Sequence, residues 1–265
     1  MIFYKKIFFF LLISYFSICL FMFFFQRNFM YHPDVNSYDK YDIQFKFKKV
    51  IIPSTQNIFL NSWFSFKKPN NKTLIFFHGN AGNLNNRIYK LNEINKLDLN
   101  FLIISWRGFN GNHGKPTEDG LYQDAKKAIQ WLEKKGIKKN DIILYGESLG
   151  TGVALELAKE DMYAGVILES PYTSMVDMAK KFYPFLPVSI LVKDRFQSKS
   201  KIKKNRSPIL IMHGMMDTLV PFHMGKQLYQ EANDPKYFYF PKFDNHMMQY
   251  TPALISTLKK FIKSL

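Results

Sequence analysis

The sequence predicts an α/β fold on a mostly parallel sheet, and three observations carry that expectation. Continuous apolar runs stand at 73–77, 101–104, 142–145, 165–168 and 209–212, the pattern of parallel strands covered on both faces. Helical spacing fills the intervals, most plainly at 120–136, where Leu121, Ala125, Ala128, Ile129 and Leu132 recur on one face. Lys134 and Lys135 suit the last turn of that helix and Gly136 its C-terminal cap. Finally, Gly146-Glu147-Ser148-Leu149-Gly150 joins one apolar run to a helix-like segment, 151–158, as a strand, a sharp turn and a helix. Alternating strands and helices define the class, and 265 residues are enough for one such domain.

Taken in order, the chain opens on nineteen uncharged, mostly apolar residues, 7–25. As a helix they would span roughly 28 Å, the thickness of a bilayer core. A cleaved signal is the rival reading. The run is longer than a usual signal core, however, and Gln26-Arg27-Asn28 follows it where a small-residue cleavage site would stand. We therefore expect a retained membrane anchor over 1–28 and a stalk over 29–41. An α/β body then fills 42–265, with a lid-like insertion near 171–207. Lys5 and Lys6 precede the span, while Arg27 and Lys40 follow it. The nearest flank favours a cytoplasmic N-terminus, with the body on the non-cytoplasmic side.

Within the body, alternating residues from Ile43 to Lys48, then 50–52 and 58–60, predict antiparallel strands at the sheet edge. The insertion holds an apolar segment, 182–192, and a basic one, 199–206. It follows the strand ending near Glu169, which places it over the strand ends where ligands bind in open α/β sheets.

The formal charge of +16 stays strongly basic once Lys5, Lys6 and Arg27 are set aside. On a tethered body this reads either as attraction to anionic lipid headgroups or as a Lys- and Asn-rich solvated surface. Nucleic acid is not implied, because no finger, helix-turn-helix or RNP motif is present. The single cysteine, Cys19, lies in the apolar span, so an intramolecular disulfide is excluded. No histidine pair at metal-ligand spacing and no phosphate- or dinucleotide-binding fingerprint stands after a strand, so neither metal nor cofactor is expected.

A bare G-x-S-x-G recurs by chance in roughly one chain in ten of this length, so its flanks and its partners carry the weight. Such a turn pushes the hydroxyl of Ser148 out of the sheet, and strand and helix cross so closely that glycine is required two residues to either side. A nucleophilic serine needs a base and a group that orients the base. Asp217 follows the run 209–212, and His246 follows the last strand-like run, 237–240, which gives the order Ser148, Asp217, His246. His32, His78, His113, His213 and His223 are the other histidines. Asp177 and Asp244 are the rival acids. For an oxyanion, the amide of Leu149 opens the elbow helix, and Asn80 in the glycine-rich loop 77–83 offers a second amide.

The loop 78–83 (HGNAGN), Trp106-Arg107-Gly108-Phe109 with Gly114, Pro116, Glu118 and Gly120, and the elbow itself carry a resemblance. So do Glu169-Ser170-Pro171-Tyr172-Thr173-Ser174, Tyr183-Pro184-Phe185-Leu186-Pro187, and His213-Gly214 with Asp217. Together they span about Tyr31 to His246. The chain resembles membrane-anchored members of the α/β-hydrolase superfamily, in the domain-containing branch that includes serine hydrolases of lipid-type esters and thioesters. The resemblance implies a central sheet of about eight strands with helices on both faces, the triad Ser148, Asp217 and His246, and an acyl-enzyme route needing only water. The chain departs from the family at Ser105, Asn110 and Asn112, where Asp, Gly and Ser are common. It departs again at Phe243-Asp244-Asn245, where glycines usually precede the histidine. Two alternatives remain in view: a tethered non-catalytic scaffold, since fold does not fix function, and an acyltransferase with the same triad.

Overall fold

The computed structural model describes residues 1–34, 42–55 and 57–265. The chain begins with helix α1 (Ile2–Met30), strand β1 (His32–Pro33), β2 (Lys48–Pro53), β3 (Phe59–Ser65), β4 (Thr73–Phe77) and β5 (Ala81–Gly82). It continues through α2 (Ile88–Asn95), β6 (Asn100–Ile104), α3 (Glu118–Lys134), β7 (Ile142–Glu147), α4 (Leu149–Ala158) and β8 (Gly165–Glu169). Helices α5 (Met175–Phe182), α6 (Val188–Leu191) and α7 (Ser198–Ile202) separate β8 from β9 (Ile209–Met212); α8 (Phe222–Glu231), β10 (Lys236–Tyr239) and α9 (Pro252–Lys263) complete the fold.

Eight strands form the main sheet in the order β10-β9-β8-β7-β4-β6-β3-β2. The six from β10 to β6 run parallel, and β3 and β2 close one edge antiparallel. Every residue of β4, β6, β7, β8 and β9 is buried, which is why these strands read as unbroken apolar runs. One face packs against α3, α4 and α8 through Leu121, Ala125, Val153 and Leu228. The other packs against α2 and α9 through Leu91, Ile94, Leu254 and Leu258. The register aligns Phe77 with Gly146, Glu147 with Glu169, and Glu169 with Met212. The loops after β4, β7, β8 and β9 therefore leave the sheet at one edge, and the chemistry gathers there.

The alternation from Ile43 to Lys48 does not produce a full strand. Pairing starts at Lys48, opposite Phe64, because β3 ends one residue later. Upstream, Phe45 and Phe47 turn their rings onto Phe101 and Trp63, so apolar alternation there reflects packing rather than a ladder.

α1 is 29 residues long and, among the described residues, the one helix long and apolar enough to cross a membrane. Residues 1–13 are exposed, whereas Cys19, Met22, Phe23, Gln26, Arg27 and Met30 are half-buried at helical spacing. This stripe faces the α5–α6 segment. The expected stalk over 29–41 is corrected at its start. Phe29 and Met30 remain helical, Tyr31 is buried, and β1 pairs with β5 (His32 opposite Ala81). Residues 35–41 of that stalk lie outside the described residues.

Candidate active site

Ser148 sits between β7 and α4 with φ 50° and ψ −115°, a strained conformation that persists because its neighbours enforce it. A Cβ at Gly146 would lie 2.6 Å from the Gly150 carbonyl oxygen and from Thr151 Cα, and one at Gly150 would collide with the Phe77 carbonyl. Both flanking glycines are therefore steric requirements. The Ser148 amide is held by the Glu169 carbonyl at 2.8 Å.

The structure brings Ser148, His246 and Asp217 together. The Ser148 hydroxyl lies 3.1 Å from His246 Nε2, and His246 Nδ1 lies 2.8 Å from Asp217 Oδ2. This arrangement lets Nδ1–H donate to the carboxylate while Nε2 accepts from the hydroxyl. The Asp217 side chain is fully buried and that of His246 is 17% exposed. Asp217 Oδ1 accepts from the Leu219 and Val220 amides at 2.9 and 2.8 Å. Burial pushes this carboxyl up, but hydrogen bonds from His213 and His246 and from the Val220 amide outweigh it and hold Asp217 well below the usual carboxylate range. It remains an anion.

The base loop, Phe243-Asp244-Asn245, lacks glycines yet makes a close turn. The small residue is supplied from across the gap, because a Cβ at Gly214 would lie 2.6 Å from the Asn245 carbonyl and against that of Asp244. Ser170, itself at φ 51°, donates its hydroxyl to the His246 carbonyl at 3.0 Å. Neither brace was foreseen from the sequence.

Leu149 and Asn80 line the same cavity as Ser148. Among the described residues neither backbone amide is spent in a hydrogen bond. Asn80 is tied otherwise: its carbonyl accepts from the His32 amide at 2.8 Å, and its side-chain amide donates to the Met30 carbonyl at 2.8 Å.

The remaining histidines and acids are placed elsewhere. His78 is buried behind the loop, its Nδ1–H donating to the Gly79 carbonyl at 2.8 Å and its Nε2 accepting from the Trp106 amide at 3.4 Å. Burial and the nearby Arg87 charge push it down to about 3, so it stays neutral. His213 Nε2 is shared between the Val220 carbonyl (3.0 Å) and Asp217 (3.2 Å). His32 lies in β1, and His113 and His223 are exposed. Asp177 is bound by Thr173 and Ser174 at the start of α5, and Asp244 Oδ2 accepts the Gln249 amide.

Beneath the elbow lies a buried ionic cluster that sequence reading missed. Glu147 Oε1 accepts from Arg87 at 2.7 Å and from the Gly79 amide at 3.3 Å, and its Oε2 meets Lys90 at 2.5 Å. Lys90 also meets Glu169 at 2.5 Å, and Glu169 accepts from Tyr145 and Tyr250. Arg87 reaches on to the Ala81 carbonyl at 2.9 Å. Burial opposes the charge on Glu147 and on Lys90, yet the paired charges prevail: Glu147 is held far below its ordinary range and Lys90 above its own. The cluster fixes the 78–83 loop to the elbow. Its sequence signal is a basic residue on the buried stripe of α2 and acids closing two core strands.

A family model described as alpha/beta hydrolase fold matches residues 72–189. The chain is similar to alpha/beta hydrolase domain-containing protein WAV2 of Arabidopsis thaliana, 31% identical over 206 residues, covering 70% of this chain and 67% of that one. It is also similar to lysophosphatidylserine lipase ABHD12 of Danio rerio, 31% identical over 199 residues, 68% of this chain and 50% of that protein. Among solved structures, the Pyrococcus furiosus esterase Pf2001 superposes with a TM-score of 0.71 at 20% identity, over 89% of this chain and 98% of its own; at that identity it speaks for the fold alone. The chain belongs to the α/β-hydrolase family, in its α/β-hydrolase-domain-containing branch.

Proposed function

We propose that the chain is a membrane-anchored serine hydrolase of carboxylic esters or thioesters. The observation that carries the reading is the unbroken relay from the Ser148 hydroxyl through His246 to Asp217, at 3.1 and 2.8 Å, on a strained elbow. The similarity to a lysophosphatidylserine lipase supports the reaction class. Ser148 Oγ attacks the acyl carbon as His246 Nε2 takes its proton, and the amides of Leu149 and Asn80 stabilise the oxyanion. The intermediate collapses, the alcohol or thiol leaves with the proton from His246, and an acyl-serine ester remains. Water, deprotonated by His246, then attacks that ester, releasing the acid and restoring Ser148.

The mainly apolar cavity of about 320 Å³ beside Ser148 favours an acyl chain over a polar substituent. The insertion near 171–207 serves as its cap, and α1 is the anchor, with the body on the non-cytoplasmic side. A fluorophosphonate probe is expected to label the wild type in native membranes and not Ser148→Ala. An unlabelled wild type would leave the scaffold reading in its place. Protease accessibility in the same membranes tests sidedness, and a body digested only from the cytoplasmic side would reverse it.

A further inference from the structure

We infer that α1 is a wall of the substrate pocket as well as an anchor, and that the substrate is an ester or thioester whose acyl chain reaches Ser148 from within the bilayer leaflet, along the α1 face bearing Met22, Gln26, Phe29 and Met30. This rests on the serine-hydrolase reading and goes beyond it. The cavity that contains Ser148 and Leu149 is bounded on one side by those four α1 residues and on the other by α5 and α6, including Met178 and Leu191.

The wall is fastened. Arg27 grips Asp194 with two hydrogen bonds, 2.8 and 2.9 Å, and the Tyr31 hydroxyl adds a third at 3.1 Å. Asp194 is buried, and bidentate pairing of this kind fixes orientation as well as contact. Gln26 donates to the Leu191 carbonyl at 2.9 Å and accepts from the Lys193 amide at 2.8 Å. Nearer the amino terminus, the Tyr15 hydroxyl donates to the Phe185 carbonyl at 3.2 Å.

Helix rise turns these contacts into depth. From Lys6 to Arg27 the helix rises roughly 32 Å, close to a bilayer core of about 30 Å, so these two charges fit the two interfaces. Tyr15 then lies about 18 Å inward of Arg27, close to the midplane of such a core, so the tip of the cap that touches it reaches through the depth of one leaflet. Its side chains suit that place: Phe185 is 65% and Ile190 81% exposed in the absence of lipid, an unpartnered apolar surface that water would not favour. Met30 and Ser148 are left near the headgroup boundary. There the carbonyl of an acyl ester meets the nucleophile while its chain still runs down α1.

The test uses the full chain in phosphatidylcholine vesicles. A long-chain alkyl fluorophosphonate with a diazirine near its tail is allowed to react with Ser148 and is then irradiated. The tail is expected to cross-link to the tryptic fragment 7–27. In parallel, Met22→Trp is expected to lower the ratio of kcat/KM for a C16 over a C4 p-nitrophenyl ester by at least about tenfold, with Phe8→Trp, on the free part of α1, leaving that ratio unchanged. Cross-links found only in the body, or a Met22→Trp ratio within twofold of wild type, overturn the inference while the serine-hydrolase reading stands. Absence of probe reaction at Ser148 in the wild type removes that reading and this inference with it.

Discussion

The Asp217 carboxylate is held by two histidines and two amides. In the proposed mechanism its charge sets the His246 tautomer, so Asp217→Asn is expected to lower kcat by about 10⁴-fold with little change in KM; steady-state kinetics on a short-chain ester checks this. His78 gives a separate prediction for stability. Its folded value, about 3, lies below the ordinary 6.5, so the unfolded chain binds the extra proton first as pH falls. Stability is thus present above about 6.5 and is lost as pH falls toward 3, at up to about 1.4 kcal/mol per pH unit. Urea midpoints measured between pH 7 and 5 are expected to fall in the wild type and to fall less in His78→Gln. That Ser148, Asp217 and His246 gather at one edge of the sheet was legible because each closes or follows a strand-like run. The braces Gly214 and Ser170 were not, because their role depends on which loops meet across the sheet edge, which local pattern does not encode.

At the scale of elements, the core strands were legible for a simple reason: residues buried on both faces leave no polar interruption. α2 was hidden by the opposite circumstance. Its buried stripe includes Lys90 beside Ile88, Leu91 and Ile94, and a charge in that slot breaks the apolar period from which a helix is read. Lys90 joins α2 to the ends of β7 and β8 through Glu147 and Glu169. Lys90→Met leaves both carboxylates buried without that cation and is expected to destabilise the fold by about 3–5 kcal/mol, read as a shift in chemical-denaturation midpoint. A larger loss of activity than of folded protein would further mark the cluster as holding the 78–83 loop in place.

For the whole molecule, the apolar span at 7–25 was plain from composition, but its docking was not. Gln26, Arg27 and Tyr31 help fasten α1 to the body, and in the sequence these three look like ordinary polar flanks of an anchor. Only the tertiary fold shows that Asp194, 167 residues beyond Arg27, is the buried partner.

The side-chain amide of Asn80 holds the Met30 carbonyl, so the loop that would face the reacting carbonyl in the proposed mechanism hangs from the last turn of α1, the helix proposed to lie in lipid. Helices answer hydrophobic mismatch by tilting, and here a tilt would be passed to that loop. Membrane thickness then becomes a control on turnover: reconstitution in short- and long-acyl phosphatidylcholine is expected to give different kcat values for the same soluble ester at equal Ser148 labelling, and identical values would show that the hinge between lipid and catalyst is slack.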